Sequence, residues 1–351
     1  MPNDTHADIR TLLTEATSDL PAFAPAPDRT VRRARRRFVR TVSLLTLSAG
    51  LVLGAVVHAI EPVTRPLPAK TPHMASGAWI VDIDTGAATH LVGLPRHAFW
   101  FSASRDGTAL AVAGDTHGRS QIFLLDPNGS NPRQVTHDLY GASQPALSPD
   151  GATLAYQGFG SSTNRNIFVM NLTTGTLEQV THERTDVSHL GWSPDGTRIL
   201  YSLSIKGARR MPAFVAVSSS LLKVVDVATR RTETVAGDRR TWADFGTWSP
   251  DGTEIAYLSG HGWTSESQGG LRPTQIRTVN ADGTNPRPVL TLVGRAIGVA
   301  WAPRGNAIAY SAPEGDSYST YVVDADTHET HRVTPGGFPT WLNDHTVIVQ
   351  L

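Results

Sequence analysis

Trp192-Ser193-Pro194-Asp195-Gly196-Thr197-Arg198-Ile199-Leu200-Tyr201 is the stretch on which the fold turns. Pro194 presets the first turn dihedral, Asp195 bonds to nearby backbone and Gly196 supplies a positive φ, so the tetrapeptide is a tight turn between two strands. Ser-Pro-Asp-Gly returns at Ser148 to Gly151 and Ser249 to Gly252, and degenerate copies lie at Ser104 to Gly107 and Ala302 to Gly305. A weaker sixth copy runs from Leu342 to His345. The first five Asp-equivalent positions (106, 150, 195, 251, 304) are 44, 45, 56 and 53 residues apart.

The register extends beyond the turn. Trp192, Trp248, Trp301 and Trp341 precede it, and Tyr156, Tyr201, Tyr257 and Tyr310 stand six residues after the Asp position. A β-branched run ending in Asp or Asn follows, then a second turn with Gly86, Gly129, Gly175 or Gly283, replaced by Arg230 and His328 in two copies. Short strands such as Gln134-Val135-Thr136 and Gln179-Val180-Thr181 close each unit. Four short strands with two tight turns per repeat predict one propeller blade, with strands A to D in order.

The first copy supplies only C and D, from Trp79 to Val92, and the last only A and B, from Phe338 to Gln350. The halves are expected to pair, giving an all-β, six-bladed β-propeller closed by its N- and C-terminal strands, with no open sheet edge. The repeated residues resemble the TolB-type, WD40-like propeller repeat over 75–351. That resemblance implies the fold, and it implies one of several roles, since such propellers serve as envelope binding proteins, as caps on prolyl peptidases and as lyases.

Upstream, Thr5 and Asp8 start a short amphipathic helix with Ile9, Leu12, Leu13, Ala16 and Leu20 on one face. Seven arginines and no acid lie between Arg29 and Arg40. Thr41 to Ile60 carries no charge, and 20 residues at 1.5 Å rise span about 30 Å, the thickness of a bilayer core. The expected organisation is a cytoplasmic segment at 1–40, a transmembrane helix at 41–60, a Pro-rich linker at 61–74 and the propeller at 75–351. The basic flank places residues 1–40 inside and the propeller outside, in a single-pass cell-membrane protein. The alternative is export, with Arg35, Arg36, Phe38, Val39 and Arg40 approximating a twin-arginine motif and cleavage near Ala59. Gly50 and Gly54 form a G-x-x-x-G pair suited to a homodimer.

Composition narrows the chemistry. The chain has 351 residues, a formal net charge of zero and no cysteine. Disulfides, thiolate metal sites and a cysteine nucleophile are excluded, and a nucleic-acid partner is not expected. No G-x-S-x-G or H-E-x-x-H motif occurs, and the histidines show no ligand spacing, so no cofactor and no metal are expected. The recurrent Asp belongs to the turn rather than to catalysis, and the repeated Trp and Tyr to the core.

A–B and C–D turns are short and alike, whereas B–C loops run long at Ser204 to Ser220 and Ser259 to Thr274. A partner, protein or surface ligand, is therefore expected on the face carrying the B–C and D–A loops. Arg96, Arg184, Arg239, Arg240 and Arg295 occupy D–A loops, with Tyr140, Trp242 and Trp263 as contact aromatics. The leading functional expectation is a membrane-anchored, non-enzymatic binding scaffold of the cell envelope. The alternatives are a propeller lyase or hydrolase, and a transmembrane regulator with a cytoplasmic partner.

Overall fold

The structure, a computed structural model, describes Met74 and residues 76–159, 164–205, 219–238, 241–261 and 274–351. The expected helices at the N-terminus, the 41–60 span, Gly50 and Gly54 lie outside the described residues. Among the described residues there is no helix long and apolar enough to cross a membrane.

The first strands are β1 (Ala78–Asp82) and β2 (Ala88–His90). Blade 1 is β3 (Phe99–Ala103), β4 (Leu110–Thr116), β5 (Arg119–Leu125) and β6 (Arg133–Gln134). Blade 2 is β7 (Ala142–Leu147), β8 (Thr153–Gly158), β9 (Asn166–Asn171) and β10 (Leu177–Gln179). Blade 3 is β11 (Val187–Trp192), β12 (Arg198–Ile205), β13 (Ser219–Asp226) and β14 (Thr232–Ala236). Blade 4 is β15 (Thr241–Trp248), β16 (Glu254–His261), β17 (Thr274–Asn280) and β18 (Arg287–Leu292). Blade 5 is β19 (Ile297–Trp301), β20 (Ala307–Glu314), β21 (Ser317–Asp324) and β22 (Thr330–Pro335), and the last strands are β23 (Gly337–Trp341) and β24 (Thr346–Gln350).

Blade 6 has the strand order β2-β1-β24-β23, so both ends of the propeller sequence build it, as the split repeat requires. β1 and β24 pair from Ala78↔Gln350 to Asp82↔Thr346, and Gly77 and Leu351 exchange backbone bonds of 3.2 and 2.9 Å beyond them. Those two residues lie where strand B meets strand C, so the chain enters the propeller at its B–C/D–A rim.

The core lies between blades. Leu200, Leu222 and Val224 of blade 3 pack with Trp248, Ile255 and Tyr257 of blade 4, and equivalent clusters fill the other gaps. The tryptophans also staple blades. Trp192, Trp248 and Trp341 donate indole N–H bonds to Ala146, Gly191 and Ala300 of the preceding blade at 3.0, 3.2 and 2.8 Å. Trp301 instead bonds Gly305 of its own degenerate turn at 3.2 Å. Thr136 and Thr181 accept the Ile122 and Ile167 amides at 2.8 and 2.9 Å, tying strand D to strand C, which explains the repeated Val-Thr pair.

Candidate functional site

Each innermost strand is broken by a bulge at the same place. The register slips between Phe99 and Phe101, Ser143 and Ala146, Ser188 and Gly191, Asp244 and Thr247, Ile297 and Val299, and Gly337 and Thr340. Within these gaps Trp100, Gln144, His189, Phe245 and Phe338 have φ of 58°, 50°, 52°, 54° and 53°, and Gly298 has 67°. Only glycine adopts this left-handed region freely, and for other residues it costs about 1–2 kcal/mol. Five of the six blades thus hold a strained residue where the sixth has glycine, and bulges re-aim side chains.

Those side chains are aimed at the ring axis. Trp100 of blade 1 meets Phe338 of blade 6 and His189 of blade 3 edge-on, with centroids 5.1 and 5.2 Å apart. His189 stacks on Phe245 of blade 4 at 3.8 Å, and Phe245 lies 6.4 Å from Phe338. Residues of non-neighbouring blades touch only on the axis, so the four rings form a plug across the channel. Gln144 Oε1 accepts the His189 amide and fixes the strained backbone.

His189 Nδ1 lies 2.7 Å from Asp244 Oδ1. Burial opposes the Asp244 charge, but His189 and the Phe245 amide, which donates to Oδ1 at 2.8 Å, outweigh it and hold the carboxyl below its usual range. One imidazole nitrogen and one ring face are thereby committed to Asp244 and Phe245.

Above the plug a cavity of about 300 Å³ runs along the axis to the A–B turns. Trp192, Trp248, Trp301 and Trp341 contribute to its wall, and Pro149, Pro194, Pro250, Pro303 and Arg105 to its mouth. Arg105 occupies the position that proline holds in the regular turn, and its guanidinium crosses the ring to the carbonyls of Pro250 at 2.9 Å and Pro303 at 3.2 Å. Among the described residues no aspartate or glutamate lines the cavity. Among the described residues no group of three or more metal-ligating side chains is poised to hold an ion.

The turn aspartates do what turns require. Ser104, Ser148, Ser193 and Ser249 donate to Asp106, Asp150, Asp195 and Asp251 at 2.6, 2.5, 2.5 and 2.6 Å. These bonds hold all four carboxyls below the ordinary range.

Of the residues singled out from sequence, Arg96, Tyr140, Arg184 and Arg295 lie on D–A loops at the other face. Arg96, Arg184 and Arg295 are exposed on D–A loops, and none lines the axial cavity. Tyr140 is 71% exposed, with its ring 6.5 Å from Phe159, over which Arg165 sits at 4.9 Å. Trp242 differs from the loop aromatic expected: it belongs to β15, opposite Gly260, and packs on the core between blades 4 and 5. A Cβ at position 260 would fall 2.8 Å from the Trp242 indole nitrogen, so glycine makes room for that ring. Arg239, Arg240 and Trp263 lie outside the described residues.

The plug residues and Arg105 escaped the sequence reading, although a signal was present. Positions 100, 144, 189, 245, 298 and 338 each precede their turn position (106, 150, 195, 251, 304, 344) by six residues. This position varies between aromatic, amide, imidazole and glycine, while the residue two further on is small in every copy and the one after that is tryptophan in four.

Residues 72–220 match the family model described as the TolB beta propeller domain. The chain is similar in structure to a putative TolB from Agrobacterium tumefaciens, with a TM-score of 0.61 and 19% identity, covering 80% of this chain and 99% of that one. It is similar to TolB from Acinetobacter baumannii, with a TM-score of 0.55 and 17% identity, over 73% of this chain and 62% of that one. A chain of a nidogen/laminin complex matches with a TM-score of 0.54 at 8% identity, over 78% of this chain and 98% of that one, which marks the architecture as widely shared. No curated protein matches the sequence. With six four-stranded blades and the closure of β1 on β24, the chain is a six-bladed β-propeller whose residues 72–220 match the TolB beta propeller domain.

Proposed function

We propose that the chain is a membrane-anchored, extracytoplasmic propeller acting as a non-enzymatic protein-interaction scaffold of the cell envelope. One observation carries the reading: Leu139 and Tyr140 stand 72% and 71% exposed on one D–A loop, and Val293 is 84% exposed two residues from Arg295 on another. Exposed apolar and aromatic groups beside arginine are the composition of protein interfaces. Arg96, Arg184, Arg239, Arg240 and Trp263 belong to the same proposed face. The anchor at 41–60, its pairing through Gly50 and Gly54, and the outward orientation rest on the uncharged segment and its arginine flank.

A photo-crosslinking residue in place of Tyr140 in the full-length protein tests the face. A discrete protein adduct from position 140, absent when the same group replaces Thr173 on an opposite-face turn, supports the scaffold; no adduct from position 140 overturns it. Because the chain has no cysteine, Thr173→Cys is a unique label site. Its reaction with an impermeant maleimide added outside sealed membranes tests the orientation.

A second reading, a propeller lyase or hydrolase, has the His189–Asp244 pair behind it, since an imidazole oriented by a carboxylate at a cavity floor suits proton transfer. Release of new chain ends from an anionic oligosaccharide, abolished by His189→Gln, would establish it in place of the scaffold.

A further inference from the structure

We propose that the axial cavity on the A–B turn face is a binding site for a monocarboxylate with an apolar or aromatic body. This site is independent of the loop-face scaffold and lies at the opposite end of the ring. The body rests on the plug of Trp100, His189, Phe245 and Phe338, and the carboxylate takes the Arg105 guanidinium.

Three observations converge on that ligand. The first is Arg105, an exposed cation held across the mouth by two neutral carbonyls, in a cavity lined by no carboxylate among the described residues. A carboxylate offers a guanidinium a bidentate, charge-assisted pair, stronger than bonds to backbone carbonyls. The second is the plug itself. Five blades keep a side chain at a left-handed position that glycine would occupy without strain, and backbone strain of this kind clusters at ligand clamps. Aromatic rings meeting edge-on and face-on leave a floor suited to an apolar or aromatic group.

The third observation fixes the charge of the ligand. Asp106, Asp150, Asp195 and Asp251 surround the mouth in their turns, each ionised and satisfied by its own serine. Their field disfavours a polyanion more than a single carboxylate, which inside that rim meets the Arg105 cation and, among the described lining residues, no acid. The volume of about 300 Å³ is at the small end of ligand pockets. A free acid and the carboxy-terminal residue of another chain present the same chemistry.

Calorimetric titration of the full-length protein tests the site with four probes: phenylpropionate, its amide, inorganic phosphate and a tetrapeptide ending in free-acid phenylalanine. Phenylpropionate is expected to bind about tenfold or more tightly than the amide and phosphate. Arg105→Gln weakens the acid by about the same factor and leaves the amide unchanged, with Arg105→Lys in between. Trp100→Gly, which suits the left-handed backbone, weakens acid and amide alike. A tetrapeptide tighter than phenylpropionate identifies a carboxy-terminal ligand, and a weaker one a free acid. The proposal is overturned if phenylpropionate does not bind the wild type, if Arg105→Gln binds it equally well, or if phosphate binds as tightly.

Discussion

One face of this ring is built from nearly the same turn in each blade, and the other from loops that differ in every blade. On the A–B face, serine, aspartate and the following residues satisfy one another within six positions: Asp195 accepts from Ser193 Oγ at 2.5 Å, from the Thr197 amide at 3.0 Å and from Thr197 Oγ1 at 2.8 Å. Such a turn needs nothing from its neighbours and so can be copied from blade to blade. On the B–C/D–A face, contacts are long-range and particular. Gln121 Nε2 donates to the Asp138 carbonyl at 2.8 Å, and Tyr201 and Lys223 both converge on Glu183 at 2.7 and 2.6 Å. The lesson is a division of labour, in which the repeating face stabilises and the irregular face is free to vary.

The sharpest way to break that division is at the closure both faces depend on. Deleting residues 342–351 removes Val347, Ile348 and Val349, all buried, each contributing about 1.5–3 kcal/mol. That sum is comparable to the whole stability of a domain, so a full-length protein shortened in this way should lose its cooperative thermal transition. An unchanged melting curve would refute the closure.

Next in size is Gly107→Ala on the repeating face. Gly107 has φ of +69°, and a Cβ there would lie 2.6 Å from the Leu342 carbonyl oxygen of blade 6. The strain and the clash with backbone should together cost about 2–4 kcal/mol, measured by urea denaturation.

Asp195→Ala should cost about 1 kcal/mol, because it removes hydrogen bonds at an exposed turn. The same residue class sets the acid limit. The turn carboxyls, and Asp244, titrate lower in the fold than in the unfolded chain. Their contribution is therefore present above the ordinary carboxyl range near pH 4 and is lost as pH falls below it. Denaturation midpoints at pH 6 and pH 3 should differ in that direction, with a smaller difference in Asp195→Ala. A midpoint that rises on acidification would contradict the assignment.

The smallest effect on stability is expected on the irregular face. Arg184→Ala and Tyr140→Ala replace exposed side chains and should shift stability by under about 0.5 kcal/mol. If both leave the melting curve alone while Tyr140→Ala abolishes a crosslinked adduct placed nearby, the contrast between the faces is sharpened. A loss of several kcal/mol from Arg184→Ala would erase it.

Much of the fold was legible because its signals are local. Pro149, Asp150 and Gly151 form a turn whatever surrounds them, and the tyrosines six residues later mark a buried strand in four blades. The split of one repeat between Trp79 and Gln350 even announces the ring closure. The site was less legible. Arg96, Arg184 and Arg295 were visible as loop residues, yet none of them lines the axial cavity. Trp242 looked like a loop residue, but an eight-residue inner strand and Gly260 opposite it carry the ring into the core.

Sequence alone determined the blade, the number of blades and the way the ring closes, since each depends on residues within one repeat or on the count of repeats. Tertiary structure alone decided what occupies the axis. Trp100, His189, Phe245 and Phe338 are between 56 and 238 residues apart in pairs taken across the plug, and each looks like an ordinary strand residue in its own segment. A bulge turns each inward, and only the rotation of blade upon blade brings them together under Arg105. Local turn chemistry repeats and can be read one copy at a time; a site on the symmetry axis exists only once all six copies are closed.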